Sequence, residues 1–361
     1  MKSSSVSTSS ATTSAKPVSK STPPAPGPAA ADIALQVATG HFISAALYAA
    51  TRLGIADLLA GGPKPVSALA SSCGAQEDAL FRTLRALESA GIFAQTAPRV
   101  FALTPAAETL RSDVPGSVRD LVLFMSDRFH FLTYAEYFHS VKTGEPAVDK
   151  AFGKDVWQCF AADPQESAVF NNAMTVLSQM AVPAVLEAYD FSGIGTLVDV
   201  AGGHGFVLTS ILAKYPAMRG VLFDLEHVIP GAKQRIASLG QQGRCTTVSG
   251  DFFKAVPPGD AYIMKHIIHD WDDDRAVQIL ANCRKGLSGP KGRVMLLEIV
   301  IPPGSAPHLG KVIDLEMLAM PGGKERTEKE YAELFARAGL KLTGVAPTKS
   351  PFSVIEAMPL V

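Results

Sequence analysis

No two cysteines in this chain stand at C-x-x-C spacing. The four, Cys73, Cys159, Cys245 and Cys283, are scattered through 361 residues. That excludes a disulfide framework and a cysteine-held zinc site, and makes a reducing compartment, the cytoplasm, the expectation. A charge excess is missing as well. Lys and Arg number 33 against 34 Asp and Glu, a formal net charge of −1, so the overall balance draws the chain neither to nucleic acid nor to an anionic membrane. No uninterrupted apolar run approaches the roughly 20 residues of a spanning helix. Residues 33–50 come nearest, but they carry Gln36, Thr39, His41 and Ser44 and read as a buried or intersubunit helix. Acids are absent from residues 1–31, which are almost entirely Ser, Thr, Ala, Pro, Val and Gly with three lysines. Such a segment cannot bury enough apolar surface to offset its ordering entropy, so a disordered tail is expected. It shares serine richness with organelle transit peptides but not their arginines.

At 47% hydrophobic and 19% charged, the chain is long and apolar enough for about two soluble domains. Residues 32–189 read as mostly helical. A short helix near Val66, a stronger one over 77–90 with Leu80, Leu84 and Leu87 on one face, and a hairpin of 92–95 and 100–104 make a winged-helix pattern. DNA binding needs a net basic face. The second helix carries Arg82 and Arg85 but also Glu77, Asp78 and Glu88, so a scaffold or dimer-forming role is expected. Residues 119–180 are dense in Phe, Met and Trp, among them Met125, Phe170 and Met174. That composition suits both core and the wall of a pocket for a flat apolar ligand.

From residue 196 onward strands and helices alternate. Strands are expected over 196–200, 220–223, 246–248, 261–267 and 293–300, with helices over 206–215, 229–239, 273–287 and 328–338. A closing hairpin, 340–345 with 352–358, makes the sheet mixed. The class is α/β, a parallel sheet covered on both faces with an antiparallel end. Ligands of such sheets bind beyond the carboxyl ends of the strands. After the first strand, Gly202-Gly203-His204-Gly205 removes side chains where a backbone must approach a ligand. Asp224 ends the second strand, placed for ribose hydroxyls. Asp251 follows the third, placed to accept from an adenine amino group while Phe252 packs on the ring. A dinucleotide fingerprint would need glycine at position 208, where Leu208 stands, and a pyrophosphate needs a dense run of backbone donors. S-adenosylmethionine (SAM), an adenosine cofactor without phosphates, does not. His269 leaves the strand 261–267 just before Asp270-Trp271-Asp272-Asp273-Asp274, where α/β enzymes place working side chains. His266 alternates to the other side of that strand and reads as structural, as does His204.

These segments, with Gly322-Gly323-Lys324-Glu325-Arg326-Thr327, resemble the SAM-dependent class I O-methyltransferases of the caffeic acid or plant phenolic type, with their bacterial and hydroxyindole relatives. The resemblance covers about residues 33–361. It implies a Rossmann-like seven-stranded methyltransferase domain (191–361) behind a winged-helix-like dimerisation domain (32–120) and a helical substrate-binding region (121–190). It also implies a homodimer acting on a hydroxyl of a small aromatic molecule. By the same resemblance His269 is the general base, flanked by Glu298 and Glu325. Gly202, Gly203, Asp224, Asp251, Phe252 and Lys265 contact SAM, and Met125, Phe170, Met174, Met317 and Met320 wall the acceptor. No metal is expected, because the sulfonium already carries an activated methyl. A phenol with pKa near 10 facing an imidazole near 6.5 loses its proton as the methyl transfers. Two departures stand out: Ala201 opens the glycine turn where plant enzymes have a third glycine, and Met320 stands where they often carry a polar side chain. Alternative readings are an N-methyltransferase, a methyltransferase of a non-aromatic hydroxyl, and a SAM-sensing winged-helix regulator.

Overall fold

The computed structural model describes Met1 and residues 28–360; most of the expected tail, and any targeting function in it, lies outside the described residues. The chain divides into two compact units, Met1–Phe42 and Ile43–Val361. The helix Pro28–Arg52 starts inside the expected tail. Two helices, Ala31–Arg52 and Pro164–Ala188, are long and apolar enough by composition to cross a bilayer. The second buries Ala173, Val176, Ala181, Val182 and Val185, which identifies it as a core helix.

In the larger unit, Leu80, Leu84 and Leu87 of helix Glu77–Ser89 are buried against Val66 and Leu69 of helix Val66–Cys73 and against Phe93 and Phe101 of the wing. Gln76 caps the longer helix by accepting from the Ala79 N–H, the satisfaction an orphan first-turn donor requires. The wing has one more strand than the expected hairpin. Strand β1 (Lys64–Pro65) pairs antiparallel with β3 (Val100–Leu103), which pairs with β2 (Phe93–Ala97), in the order β1-β3-β2. Two residues are too short for a periodicity signal.

The main sheet contains β4 (Thr196–Val200), β5 (Arg219–Asp224), β6 (Cys245–Ser249), β7 (Ala261–Lys265) and β8 (Arg293–Glu298). A two-residue β9 (Val300–Ile301) and β10 (Arg326–Thr327) form a separate ribbon, and β11 (Leu340–Pro347) and β12 (Ser353–Pro359) close the chain. The seven-stranded order is β11-β12-β8-β7-β4-β5-β6, with β12 antiparallel to both neighbours and the other pairs parallel. Strand alternation sends Leu197, Ile263, Met295 and Leu297 to one apolar layer and Val198, Val200, Tyr262, Met264 and Leu296 to the other. Burial on both faces explains why these strands read as continuous apolar runs.

Two expected strands end early. β7 stops at Lys265 because His266 takes a left-handed φ of 54°. β8 stops at Glu298, and Val300, expected to end it, opens β9 instead.

Candidate active site

The left-handed residue builds the site. A non-glycine residue there costs roughly 1–2 kcal/mol, and the turn uses it to present two successive amides. Ile267 N–H and Ile268 N–H both donate to Glu298 Oε1, at 3.2 and 3.0 Å. His269 follows in the 3-10 turn Ile268–Asp270. Its Nδ1 lies 2.7 Å from Glu325 Oε1 and 3.8 Å from Glu298 Oε2, and its Nε2 lies 3.4 Å from Asp270 Oδ1. In the neutral ring a carboxylate on Nδ1 fixes the proton there and leaves Nε2, beside Asp270, as the acceptor.

Two acids 27 residues apart reach one imidazole through the small ribbon. Parallel pairing of Arg326 with Val300 sets Glu325, just before β10, beside Glu298, which ends β8. Asp314 accepts the Glu325 N–H at 2.8 Å. Arg326, fully buried, then locks the turn. Its guanidinium donates to the carbonyls of Ile268, Lys324 and Trp271 and to Asp273 Oδ1, at 2.8–3.2 Å. Gly323 lies against the same backbone: a Cβ there would sit 1.9 Å from the His269 carbonyl oxygen.

Electrostatics follow from burial. Burial lowers the His269 pKa, but the charges of Glu298, Asp270 and Glu325 and the Glu325 hydrogen bond raise it further, to about 9. Burial lifts Glu298 to about 7 and Asp270 to about 6. His266 does not turn away as alternation predicted, because its φ breaks the strand. Its ring stacks on His269, 4.4 Å between centroids and 30° between planes, and also packs on Phe352. Burial, with the charges of His269 and Lys265, holds it well below its ordinary pKa. Donor atoms of His266, His269 and Glu298 fall within 4.8 Å of one another. With the rings stacked, however, their in-plane lone pairs run side by side and do not converge on one point.

The strand ends of β4, β5 and β6 hold the expected cofactor residues. Gly202 leaves no room for a side chain, since a Cβ would lie 2.7 Å from the Asp199 carboxyl. Gly203 N–H donates to Asp224 Oδ2 at 2.8 Å, which ties the glycine turn to the end of β5. Ala201 sits at φ 55°, a strained position for any residue but glycine. Asp199 is buried, with Oδ2 unpartnered; burial lifts it to about 7. Lys265 ends β7, its pKa lowered by burial against the opposing charges of Glu298, Asp199 and Asp270. Asp251 accepts the Phe253 N–H at 2.9 Å, and Asn282 donates to the carbonyls of Phe252 and Phe253. A buried carboxylate near the end of β4 with an orphaned oxygen, Asp199, beside Asp224 at the end of β5, suits a cationic adenosine ligand. Leu208, packed into the core, leaves no third fingerprint glycine for a pyrophosphate.

An aromatic file connects this site to the helical region. Phe252 and Phe253 meet Trp271 edge-on, Trp271 stacks on Trp157 at 6.2 Å, and Trp157 meets Phe170, which stacks on Phe160. Phe170, Met174 and Met320 belong to this cluster. Met317 is buried one helical turn before Met320, whereas Met125 is partly exposed at its helix end. The sequence reading missed Asp270, Asp314 and Arg326 as parts of the site. It also missed a second buried histidine: His130 Nδ1 bonds Asp127 at 2.9 Å, its Nε2 bonds Glu316 at 3.1 Å, and Tyr134 donates to Glu316 at 2.7 Å. Glu316 one residue before Met317 was the available signal, an acid inside an otherwise apolar helix face.

A seven-stranded sheet whose only antiparallel strand is inserted beside the last parallel one is that of a class I methyltransferase. Residues 134–341 match the family model of the O-methyltransferase domain, and residues 35–113 match that of the O-methyltransferase dimerisation domain. The chain belongs to this O-methyltransferase family. It is 42% identical over 329 residues to the phenazine O-methyltransferase PhzM of Lysobacter antibioticus, covering 91% of this chain and 96% of that protein. It is 34% identical to the phenazine-1-carboxylate N-methyltransferase of Pseudomonas aeruginosa, covering 86% and 92%. The crystal structure of LaPhzM superposes with a TM-score of 0.86 at 42% identity, over 91% of this chain and 99% of that one. That of the O-methyltransferase NcsB1 from neocarzinostatin biosynthesis, in complex with SAM and 2-hydroxy-5-methyl naphthoic acid, gives 0.76 at 33% identity, over 88% and 96%. The protein is thus a SAM-dependent O-methyltransferase.

Proposed function

We propose that the chain methylates a hydroxyl of a small, flat aromatic metabolite, with His269 as general base. The observation that carries this reading is the 2.7 Å bond from His269 Nδ1 to Glu325, which leaves Nε2 to accept the hydroxyl proton. Glu325 orients the ring and favours the imidazolium as it forms; Glu298, held by two amides, adds charge behind it. SAM supplies an already activated methyl. Gly202, Gly203, Asp224, Asp251, Phe252 and Lys265 would hold it, and Met125, Phe170, Met174, Met317 and Met320 would wall the acceptor. In-line alignment and exclusion of water then account for most of the rate. Relatives named for phenazine and naphthoate substrates support a flat aromatic acceptor.

Methyl transfer from labelled SAM to hydroxyphenazines, hydroxynaphthoates, catechols and indoles tests the reading. His269→Ala should lower kcat by about 10²–10⁴-fold without weakening SAM binding; a fully active variant would remove His269 from the mechanism. An aromatic amine as the preferred acceptor would instead favour N-methylation, which needs no such base.

The protein acts as a homodimer in this proposal, and in the cytoplasm. Phe138 and Val141 are 74% and 62% exposed, and Val312 on the adjacent helix Leu309–Ala319 is 61% exposed, apolar side chains that a partner subunit would cover. Ile33, Leu35, Val37 and Phe42 are exposed in the smaller unit, within or next to the matched dimerisation segment.

A further inference from the structure

Charge around His269 does not balance. Glu325, Asp270 and Glu298 lie 2.7, 3.4 and 3.8 Å from one buried imidazole. The buried cation facing them is Lys265, and Asp199 shares it. Arg326, buried nearby, and Lys324 both pair with Asp273 at 2.9 Å, and Asp314, which accepts the Glu325 N–H at 2.8 Å, offsets the second of these cations. His266, stacked on His269, is kept neutral by burial, and Tyr331, packed behind both glutamates, is held neutral in the same way. With a neutral His269, three carboxylates therefore face one ammonium. Two of their oxygens, Glu298 Oε2 and Glu325 Oε2, are buried without a hydrogen-bond partner. Unpaired buried charge is strongly disfavoured, so the cluster must hold a further positive charge, either a proton or a cation brought by a ligand.

We propose that binding of SAM expels a proton from His269: the free enzyme carries an imidazolium in this turn, and the sulfonium replaces it as the balancing cation, leaving the neutral imidazole that catalysis needs. This deepens the reading of His269 as the base and rests on it. The proton leaves to solvent, and no bond to SAM is made or broken. Transfer requires sulfonium, methyl, hydroxyl and imidazole in line, with contacts of about 3 Å between successive reacting groups. A unit charge about 7 Å away shifts the protonation equilibrium by on the order of 10²-fold at an effective dielectric near 20. The raised pKa of His269 in the ligand-free protein, about 9, agrees with the imidazolium state. S-adenosylhomocysteine, the product, is a neutral thioether and does not displace the proton. The methyl donor therefore arms the base, and turnover disarms it.

Isothermal titration calorimetry of the full chain at pH 8, in buffers of different ionisation enthalpy, counts protons released on binding. SAM should release more than half a proton per site beyond S-adenosylhomocysteine. That difference should vanish in His269→Gln and shrink in Glu325→Gln, where one fewer carboxylate holds the proton. Equal counts for the two ligands in the unaltered protein would overturn the inference while leaving the base intact, provided that His269→Ala still abolishes transfer. A difference that survives in His269→Gln overturns it too, because the proton then comes from a carboxylic acid.

Discussion

Replacing Gly323 by alanine should damage both catalysis and stability. A Cβ at 323 would lie 1.9 Å from the His269 carbonyl oxygen, 2.4 Å from the Asp270 carbonyl carbon and 2.6 Å from Trp271 N. All three are backbone atoms, so no rotamer change relieves the overlap. The segment 322–325 and the turn 268–271 must separate by about 1 Å or more to restore contact distances. That motion strains the bond from Lys324 N–H to the His269 carbonyl, 2.9 Å long, and the Glu325 contact to Nδ1. Overpacking costs about 1–3 kcal/mol and a lost hydrogen bond about 1 kcal/mol. Together they amount to roughly 2–4 kcal/mol, a fall in Tm of about 5–12 °C for a domain of this size. A base displaced by 1 Å costs about 10²-fold in kcat. Thermal unfolding and single-turnover methyl transfer measure the two effects, with Gly289→Ala, where an added Cβ meets nothing within 4 Å, as control. If Gly323→Ala matched that control in Tm and stayed within threefold in kcat, the packing of the catalytic turn described above would be wrong.

Further predictions concern neighbouring devices. Arg326→Ala leaves the carbonyls of Ile268, Trp271 and Lys324 without their donor and should cost about 3 kcal/mol or more by denaturant unfolding; Arg326→Lys should recover less than half, because an ammonium lacks the planar fork. Ala201→Gly relieves left-handed strain of about 1–2 kcal/mol but adds unfolded-state entropy worth about 0.4–1 kcal/mol, so Tm should rise slightly, and a fall would contradict the strain. Asp224→Ala should weaken SAM binding at least tenfold before it changes the chemical step, as equilibrium binding would report. For His130, burial lowers the pKa but Asp127 and Glu316 raise it to about 9. Its stabilisation is therefore complete below pH 6.5 and lost as pH rises through about 9, on the order of 3 kcal/mol. In a His269→Gln background, urea unfolding should weaken across that window, and adding His130→Gln should flatten most of the decline; an unchanged slope would show that His130 is not the titrating group.

The continuous apolar runs of β4, β5, β7 and β8 and the charged residues at or near their ends were legible in the sequence because a strand buried on both faces and ended by a polar residue is a local pattern. The core face of helix Glu77–Ser89 was legible for the same reason, in its 3.6-residue spacing. His269 could be marked by its position after a strand, and Glu298 and Glu325 only by likeness to a family. What the tertiary structure alone decided is how these residues meet. His266 adopts a left-handed conformation that alternation cannot foresee, and it thereby turns two amides onto Glu298 and its own ring onto His269. Two-residue strands, too short to show a period, register Glu325 beside Glu298. Arg326 reads as an ordinary polar residue until the fold surrounds it with four acceptors. Above all, the charge imbalance of the site exists only after folding, since Asp270, Glu298 and Glu325 are separated along the chain and become one electrostatic group when burial removes the water between them.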